Sequence, residues 1–239
     1  MKLLLDIGNS RLKWGVEQAG VFLFKAAVDY RQAGFFEQLQ CDWQALETPT
    51  VLLLASVAQP AVKASVIELA GRLWPVLEIR IAVASAFAGG VRNAYAQPER
   101  LGVDRWLALL AVHRFYPGHS CIVDCGTAIT LDVIAADGRH LGGLICPGLQ
   151  AMKKTLAVNT AALGFNAEQQ PLGLADNTLA AIDSGTLFAA VGMIETVRRQ
   201  LDQPCQLLLC GGDAPVIAGC LQQPFIVDGE LVFKGLSIL

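Results

Sequence analysis

An α/β chain of two duplicated halves is the architecture this sequence predicts, and three features carry that expectation. Residues 3–14 run three leucines into Asp6-Ile7-Gly8-Asn9-Ser10 and then return, which reads as a buried strand entering a tight hairpin. The pattern recurs at Cys121-Ile122-Val123-Asp124-Cys125-Gly126-Thr127, followed by Ala128-Ile129-Thr130-Leu131. Both copies read strand, Asp-x-Gly, Asn or Thr, strand, and Asp124 follows Asp6 by close to half of the 239 residues. Elsewhere, apolar strand-like runs alternate with segments of helical spacing, a layout that excludes a bundle or an all-β sandwich. The halves are expected at residues 1–117 and 118–239, each offering a carboxylate and a glycine turn to a shared central cleft.

Composition narrows the class. Hydrophobic residues make up 54% of the chain, and the mean hydropathy is +0.47. The longest apolar runs, such as 51–55 and 106–112, fall far short of the ~20 residues that span a bilayer. The N-terminal run stops at Asp6, too short for a signal-peptide core. The apolar surplus is therefore expected in buried strands and a subunit interface, with no membrane partner and a cytoplasmic location. A net charge of −3 and a pI near 5.6 give no basic footprint for nucleic acid. Seven cysteines without paired metal-ligand spacing read as small buried residues of a reducing compartment.

Taken in order, residues 16–27 continue as strand, with Gln18-Ala19-Gly20 as a turn. A short helix is expected over 30–39 and a buried strand over 50–56. Pro60 marks a helix start, 61–74 has helical spacing, Pro75 closes it, and 76–83 reads as strand. Residues 85–100 crowd Gly89-Gly90, Asn93, Tyr95 and Pro98 into a long loop, a kind of segment more often functional than ordinary connectors are. The loop feeds Gly102-Val103-Asp104-Arg105 and then 106–112, apolar on all sides and so a buried helix. Asp104 and Arg105 fall in or beside its first turn, where the helix dipole favours a carboxylate. Two charges leading a buried helix must pair with each other or face a polar pocket.

The second half opens near His119, with a hairpin over 121–135 and a turn at Asp137-Gly138. Gly142-Gly143 and Pro147-Gly148 lead into a helix over 149–158, and glycines before a helix make either an anion site or a plain loop. Residues 159–176 read as a loop. A long helix to 201 starts at Asn177-Thr178, with Thr178 most simply an N-cap. Residues 205–210 form a buried strand ending in Gly211-Gly212-Asp213-Ala214, which is a tight turn or a place where a ligand lies against the backbone.

No Walker-type phosphate loop or protein-kinase glycine loop is present, and the three histidines lie outside the motifs. Paired Asp-x-Gly hairpins without a nucleophile suit phosphoryl transfer. That chemistry needs a metal near the phosphates, backbone donors along them and a base for the attacking hydroxyl. A carboxylate near water-coordinated Mg²⁺ fits the metal's preference for hard oxygen ligands. Asp104 could accept the substrate proton while Arg105 steadies an acidic substrate or developing charge.

The motifs Asp6-Ile7-Gly8-Asn9-Ser10, Gly102-Val103-Asp104-Arg105, Asp124-Cys125-Gly126-Thr127-Ala128, Gly142-Gly143 with Pro147-Gly148, and Gly211-Gly212-Asp213-Ala214 span most of the chain. In this order they resemble the type III pantothenate kinases, within the actin and sugar-kinase superfamily of duplicated ribonuclease-H-like domains. The Gly-Val-Asp-Arg segment is the most specific element. The resemblance implies ATP-dependent phosphorylation of pantothenate, the first committed step toward coenzyme A. By position it implies that Asp6, Ile7, Gly8, Asn9, Ser10, Arg11, Leu12 and Lys13 hold the ATP phosphates, with Asp6 near Mg²⁺ and Thr127 a further ATP contact. It makes Asp104 the catalytic base, and Tyr95, Gly102, Val103, Asp104, Arg105 and Thr178 the pantothenate contacts. Asp124 matches a monovalent-cation ligand, for potassium or ammonium, and a homodimer with substrate near the subunit interface is implied. Ser10 stands where many relatives have Thr, and either hydroxyl can hydrogen-bond a phosphate. Two other readings remain: a different small-molecule kinase of the same superfamily, and a catalytically silent accessory transcriptional regulator. The regulator would be expected to have lost Asp104 or a phosphate-binding turn, and the sequence keeps them all.

Overall fold

The computed structural model describes residues 1–159, 172–222 and 224–239. They form two compact units, Met1–Phe115 with Glu230–Leu239, and Tyr116–Gly229. The C-terminal residues thus return to the first unit, whereas the sequence alone assigns them to the second half.

In the first unit β1 (Lys2–Ile7), β2 (Leu12–Gln18) and β3 (Val21–Val28) make an antiparallel meander. β4 (Val51–Ser56) and β5 (Glu78–Ile81) add in parallel, giving the order β3-β2-β1-β4-β5. Alternation sends Leu3, Leu5 and Ile7 to one face, joined there by Trp14, Val16, Leu52 and Leu54. Each such aliphatic side chain contributes about 1.5–3 kcal/mol by leaving water. α1 (Phe35–Gln44) and α2 (Pro60–Leu73) cover that face through Phe35, Leu39, Trp43, Val66 and Leu69. α3 (Val103–Phe115) and α7 (Leu231–Ile238) pack against each other and against β1 and β4, which explains why α3 is apolar all round. At Gly235 the α7 backbone rests on the Leu107 carbonyl, leaving no room for a side chain.

Three expectations are corrected here. The first helix starts at Phe35 rather than residue 30, because Asp29 accepts the Arg31 N–H at 2.9 Å and folds 29–31 into a turn. The strand expected over 76–83 shrinks to Glu78–Ile81, since Leu77 N–H closes a turn on Trp74 C=O at 3.0 Å. The loop over 85–100 is partly regular: β6 (Phe87–Ala88) and β7 (Val91–Arg92) pair around Gly89-Gly90, and Pro98–Arg100 makes a 3₁₀ turn.

The second unit repeats the first. β8 (Ser120–Cys125), β9 (Ala128–Ile134) and β10 (His140–Pro147) are antiparallel; β11 (Gln206–Cys210) and β12 (Ile226–Val227) add in parallel, in the order β10-β9-β8-β11-β12. Its core faces Cys121, Val123, Ile129 and Leu131 toward α5 (Thr178–Gln200) and α6 (Ala214–Ala218), with Leu149 entering from α4 (Leu149–Asn159). Gly142 and Gly143 lie inside edge strand β10, not in a loop before α4, because the turn at Asp137-Gly138 closes a hairpin that carries the strand through them. The α5 cap is Asn177, whose Oδ1 accepts the Ala180 N–H at 3.0 Å, and not Thr178. Of the loop expected over 159–176, residues 160–171 lie outside the described residues. By length and hydropathy alone α5 could cross a membrane. Yet Leu187, Ala190 and Ile194 are buried in the unit's core, and Asp183 pairs with Lys153 of α4 at 2.7 Å.

Candidate active site

The first carboxylate sits where β1 ends. Register pairs Asp6 with Lys13 and Ile7 with Leu12, so residues 8–11 form the turn, closed by Gly8 N–H donating to Arg11 C=O at 2.9 Å. Asp6 is nearly buried, and Lys13 Nζ lies 3.9 Å from its Oδ2. Asn9 and Arg11 are exposed at the tip. Ile7 and Leu12 are fully buried in the core, so these two residues can offer a nucleotide only backbone atoms. Ile7 C=O already accepts the Val57 N–H at 3.0 Å.

The second constellation surrounds the start of α3. Asn93 knits its loop: its amide nitrogen donates to the Ser85 and Pro98 carbonyls at 3.2 Å each, and its Oδ1 accepts Tyr95 N–H at 3.0 Å. Tyr95 is thereby fixed, and Arg105 donates from its guanidinium to the Tyr95 hydroxyl at 3.0 Å. The guanidinium carbon also lies 5.7 Å from the centre of the Tyr95 ring. Asp104 is half-buried, and its Oδ1 accepts the Arg105 N–H at 2.8 Å at the helix start. A Cβ at Gly102 would come within 2.6 Å of that oxygen, so glycine there keeps the space the carboxylate occupies. Arg105, buried to 6% exposure, turns to the phenol while the Asp104 oxygen turns to backbone.

In the second unit Asp124 is the penultimate residue of β8, between Thr130 of β9 and Cys210 of β11. Gly126 N–H donates to Ala128 C=O at 3.1 Å, and Gly148 N–H to Thr127 C=O at 3.0 Å. Any side chain at Gly148 would overlap the Gly126 and Thr127 carbonyls, so the end of β10 is wedged against this turn. Gly211, at φ +90°, lies equally close: a Cβ would overlap Asp124 Oδ1 and come within 2.5 Å of Cys125 C=O. Asp213 N–H donates to that same carbonyl at 2.9 Å. Three chain segments therefore meet at the turn that follows Asp124. Thr127 is exposed beside it, and Thr178 is the exposed first residue of α5.

Sequence reasoning named the residues of these clusters but missed what braces them. Asn93 and Gly148 were legible only as members of a loop and a glycine run. Their bracing roles depend on partners brought in by the fold.

The cysteines differ from expectation: Cys41 is exposed, and Cys146, Cys205 and Cys220 are only partly buried. Cys205 has its thiol pulled below the ordinary thiol range, chiefly by a hydrogen bond with Cys121 and further by the Arg198 guanidinium. The same contact, with burial, pushes Cys121 up, while burial drives Cys125 to about 12. A lowered thiol carries more thiolate at a given pH, and thiolate is the nucleophile. Alkylation of Cys205 by iodoacetamide should therefore set in at lower pH than that of Cys125, whose thiol burial raises. Mass spectrometry of the peptides checks the order. Preferential labelling of Cys125 at pH 8 would contradict the assignment.

A model of the type III pantothenate kinase family matches residues 2–200. A protein of Nitrosococcus oceani named type III pantothenate kinase is 39% identical over 99% of this chain and 92% of its own length. One of Burkholderia thailandensis with the same name is 35% identical, over 99% of this chain and 96% of its own length. Among solved structures, a Campylobacter jejuni protein described as a Baf family transcriptional activator aligns with TM-score 0.63 and 22% identity, covering 98% of this chain and 95% of that one. A Sinorhizobium meliloti protein described as a 2-dehydro-3-deoxygalactonokinase gives 0.62 and 15%, covering 99% and 95%. The ADPNP-bound activator of a Clostridium difficile 2-hydroxyisocaproyl-CoA dehydratase gives 0.56 and 11%, covering 99% and 92%. These likenesses show the fold, that of the actin-like ATPases. With the family match over most of its length and relatives above 30% identity over nearly all of it, this chain belongs to the type III pantothenate kinase family.

Proposed function

We propose that this protein phosphorylates pantothenate with ATP, giving 4′-phosphopantothenate in the first step of coenzyme A synthesis. The observation that carries the reading is the braced group of Tyr95, Arg105 and Asp104 at the start of α3, in a chain of this family. Asp104 is the catalytic base and takes the proton of the attacking hydroxyl. Arg105, oriented by Tyr95, steadies the pantothenate carboxylate; Gly102, Val103 and Thr178 complete the contacts. Residues 6–13 and Thr127 hold the ATP phosphates, largely through backbone N–H groups and Lys13.

Asp6 fits Mg²⁺ as a hard oxygen ligand. Among the described residues no three His, Cys, Asp or Glu side chains cluster, and Mg²⁺ usually relies on one or two carboxylates, waters and substrate phosphates. Bound Mg²⁺ would neutralise charge on the transferring phosphoryl group. Asp124, wedged among backbone segments, has the oxygen chemistry for potassium or ammonium. A homodimer is supported by the exposed face of α5, where Ala181, Gly185, Phe188, Ala189 and Gly192 recur at helical spacing, and by exposed Leu144 and Ile145 on β10. The reading includes a cytoplasmic location without nucleic-acid or membrane partners, and the net charge of −3 supports the absence of nucleic acid.

The test is a reaction of purified protein with ATP, Mg²⁺ and pantothenate, with and without potassium, read by mass spectrometry of the product. Phosphopantothenate formed faster with potassium supports both the function and the Asp124 site. Formation independent of potassium or ammonium removes the cation assignment, and no phosphopantothenate under either condition overturns the function.

A further inference from the structure

We propose that Tyr30 is a positioning residue for the ATP phosphates, its phenol locking the Asn9–Ser10 peptide before nucleotide arrives. The inference rests on reading residues 8–11 as a phosphate turn. The Tyr30 O–H donates to Asn9 C=O at 2.5 Å, from a segment 21 positions further along the chain.

The phenol is presented from a firm mount. Its ring meets Phe35 edge-on with centroids 6.3 Å apart, and Phe35 is buried in the core with Leu39 and Trp43. On the preceding side, Asp29 accepts Arg31 N–H at 2.9 Å and the Arg31 guanidinium at 3.0 and 2.9 Å. Gln32 N–H donates to Asp29 C=O at 3.1 Å. The backbone on both sides of Tyr30 is thus tied down.

A trans peptide points its carbonyl and the following N–H in opposite directions. Holding the Asn9 oxygen toward Tyr30 therefore aims the Ser10 N–H away from it. Asn9–Ser10 is the central peptide of the turn closed by Gly8 and Arg11, the peptide with the most freedom to rotate. A backbone donor set in advance does not have to be ordered when the phosphate binds, which is the origin of affinity by preorganisation. Nothing in the sequence marks Tyr30, because its partner lies across the hairpin.

The test uses the full chain and Tyr30→Phe, which keeps the ring contact and removes only the hydroxyl. Hydrogen exchange of the peptide covering residues 8–12 is read first, without nucleotide, and is expected to quicken. Steady-state kinetics should then show KM for ATP raised about two- to tenfold, the range expected for one hydrogen bond, with KM for pantothenate unchanged. A merely structural role would lower the active fraction, and so apparent kcat, without moving KM for ATP alone. Unchanged exchange overturns the lock. Quicker exchange with unchanged KM for ATP overturns its bearing on the phosphates. Wild-type protein that makes no phosphopantothenate overturns the functional reading instead, and the exchange arm still decides the lock.

Discussion

Asp104→Asn is expected to lower turnover about 10²–10⁴-fold, the usual contribution of a general base. The amide has nearly the carboxylate's shape, and its oxygen can still accept the Arg105 N–H that holds the side chain at the helix start. What it loses is the capacity to take a proton from the acceptor hydroxyl. The loss should therefore appear in kcat, with KM for pantothenate within a few-fold of wild type and thermal unfolding little changed. Gly102→Ala, which would place a methyl 2.6 Å from the same carboxylate oxygen, should by contrast move the base without removing it. Near-normal turnover in Asp104→Asn would end the base assignment.

Gly211→Ala is expected to be the second large loss, and for a steric reason. The added methyl would overlap Asp124 Oδ1 and the Cys125 carbonyl region, at a backbone φ of +90° that L side chains rarely adopt. Overpacking of this kind costs about 1–3 kcal/mol, and strained backbone of this kind is of similar size. Displacing Asp124 and the turn after it by even an ångström can cost about 10²-fold in rate. The variant should thus show a lower unfolding temperature together with a kcat/KM for ATP reduced about 10²-fold. Gly212→Ala, where a Cβ meets nothing within 4 Å, is the control for folding, expected within about 0.5 kcal/mol of wild type. Equal stability in the two variants would show that the close approach at Gly211 is not a constraint.

Much of the fold was legible because its signals are local. The leucine run before Asp6, the apolar helix after Asp104 and the turn at Asp137-Gly138 each depend on neighbours in sequence, and each appears where expected. The repeat of Asp-x-Gly hairpins also corresponds to two sheets of the same strand order. The failures have different physical origins. The first helix was displaced by a side chain, Asp29, capturing the backbone of Arg31. Gly142-Gly143 read in the sequence as glycines leading into a helix, yet pairing with β9 carries β10 through them. β12 is two residues long and α7 is held by α3, so neither has a strong local pattern. Among the candidate residues, the charges at Asp6, Asp104 and Asp124 were readable by type and spacing. Their braces, Asn93, Gly148 and Tyr30, act through contacts that no spacing reveals.

If the group at the start of α3 serves pantothenate, the protein should choose it over another hydroxylated acid. The most direct measurement offers purified protein ATP labelled in its γ-phosphate, with pantothenate and a 2-dehydro-3-deoxy sugar acid at equal concentration in one reaction. Label is expected in pantothenate alone, and none there when Asp104→Asn replaces the wild type. Label carried to the sugar acid, with pantothenate left unmodified, would contradict that choice.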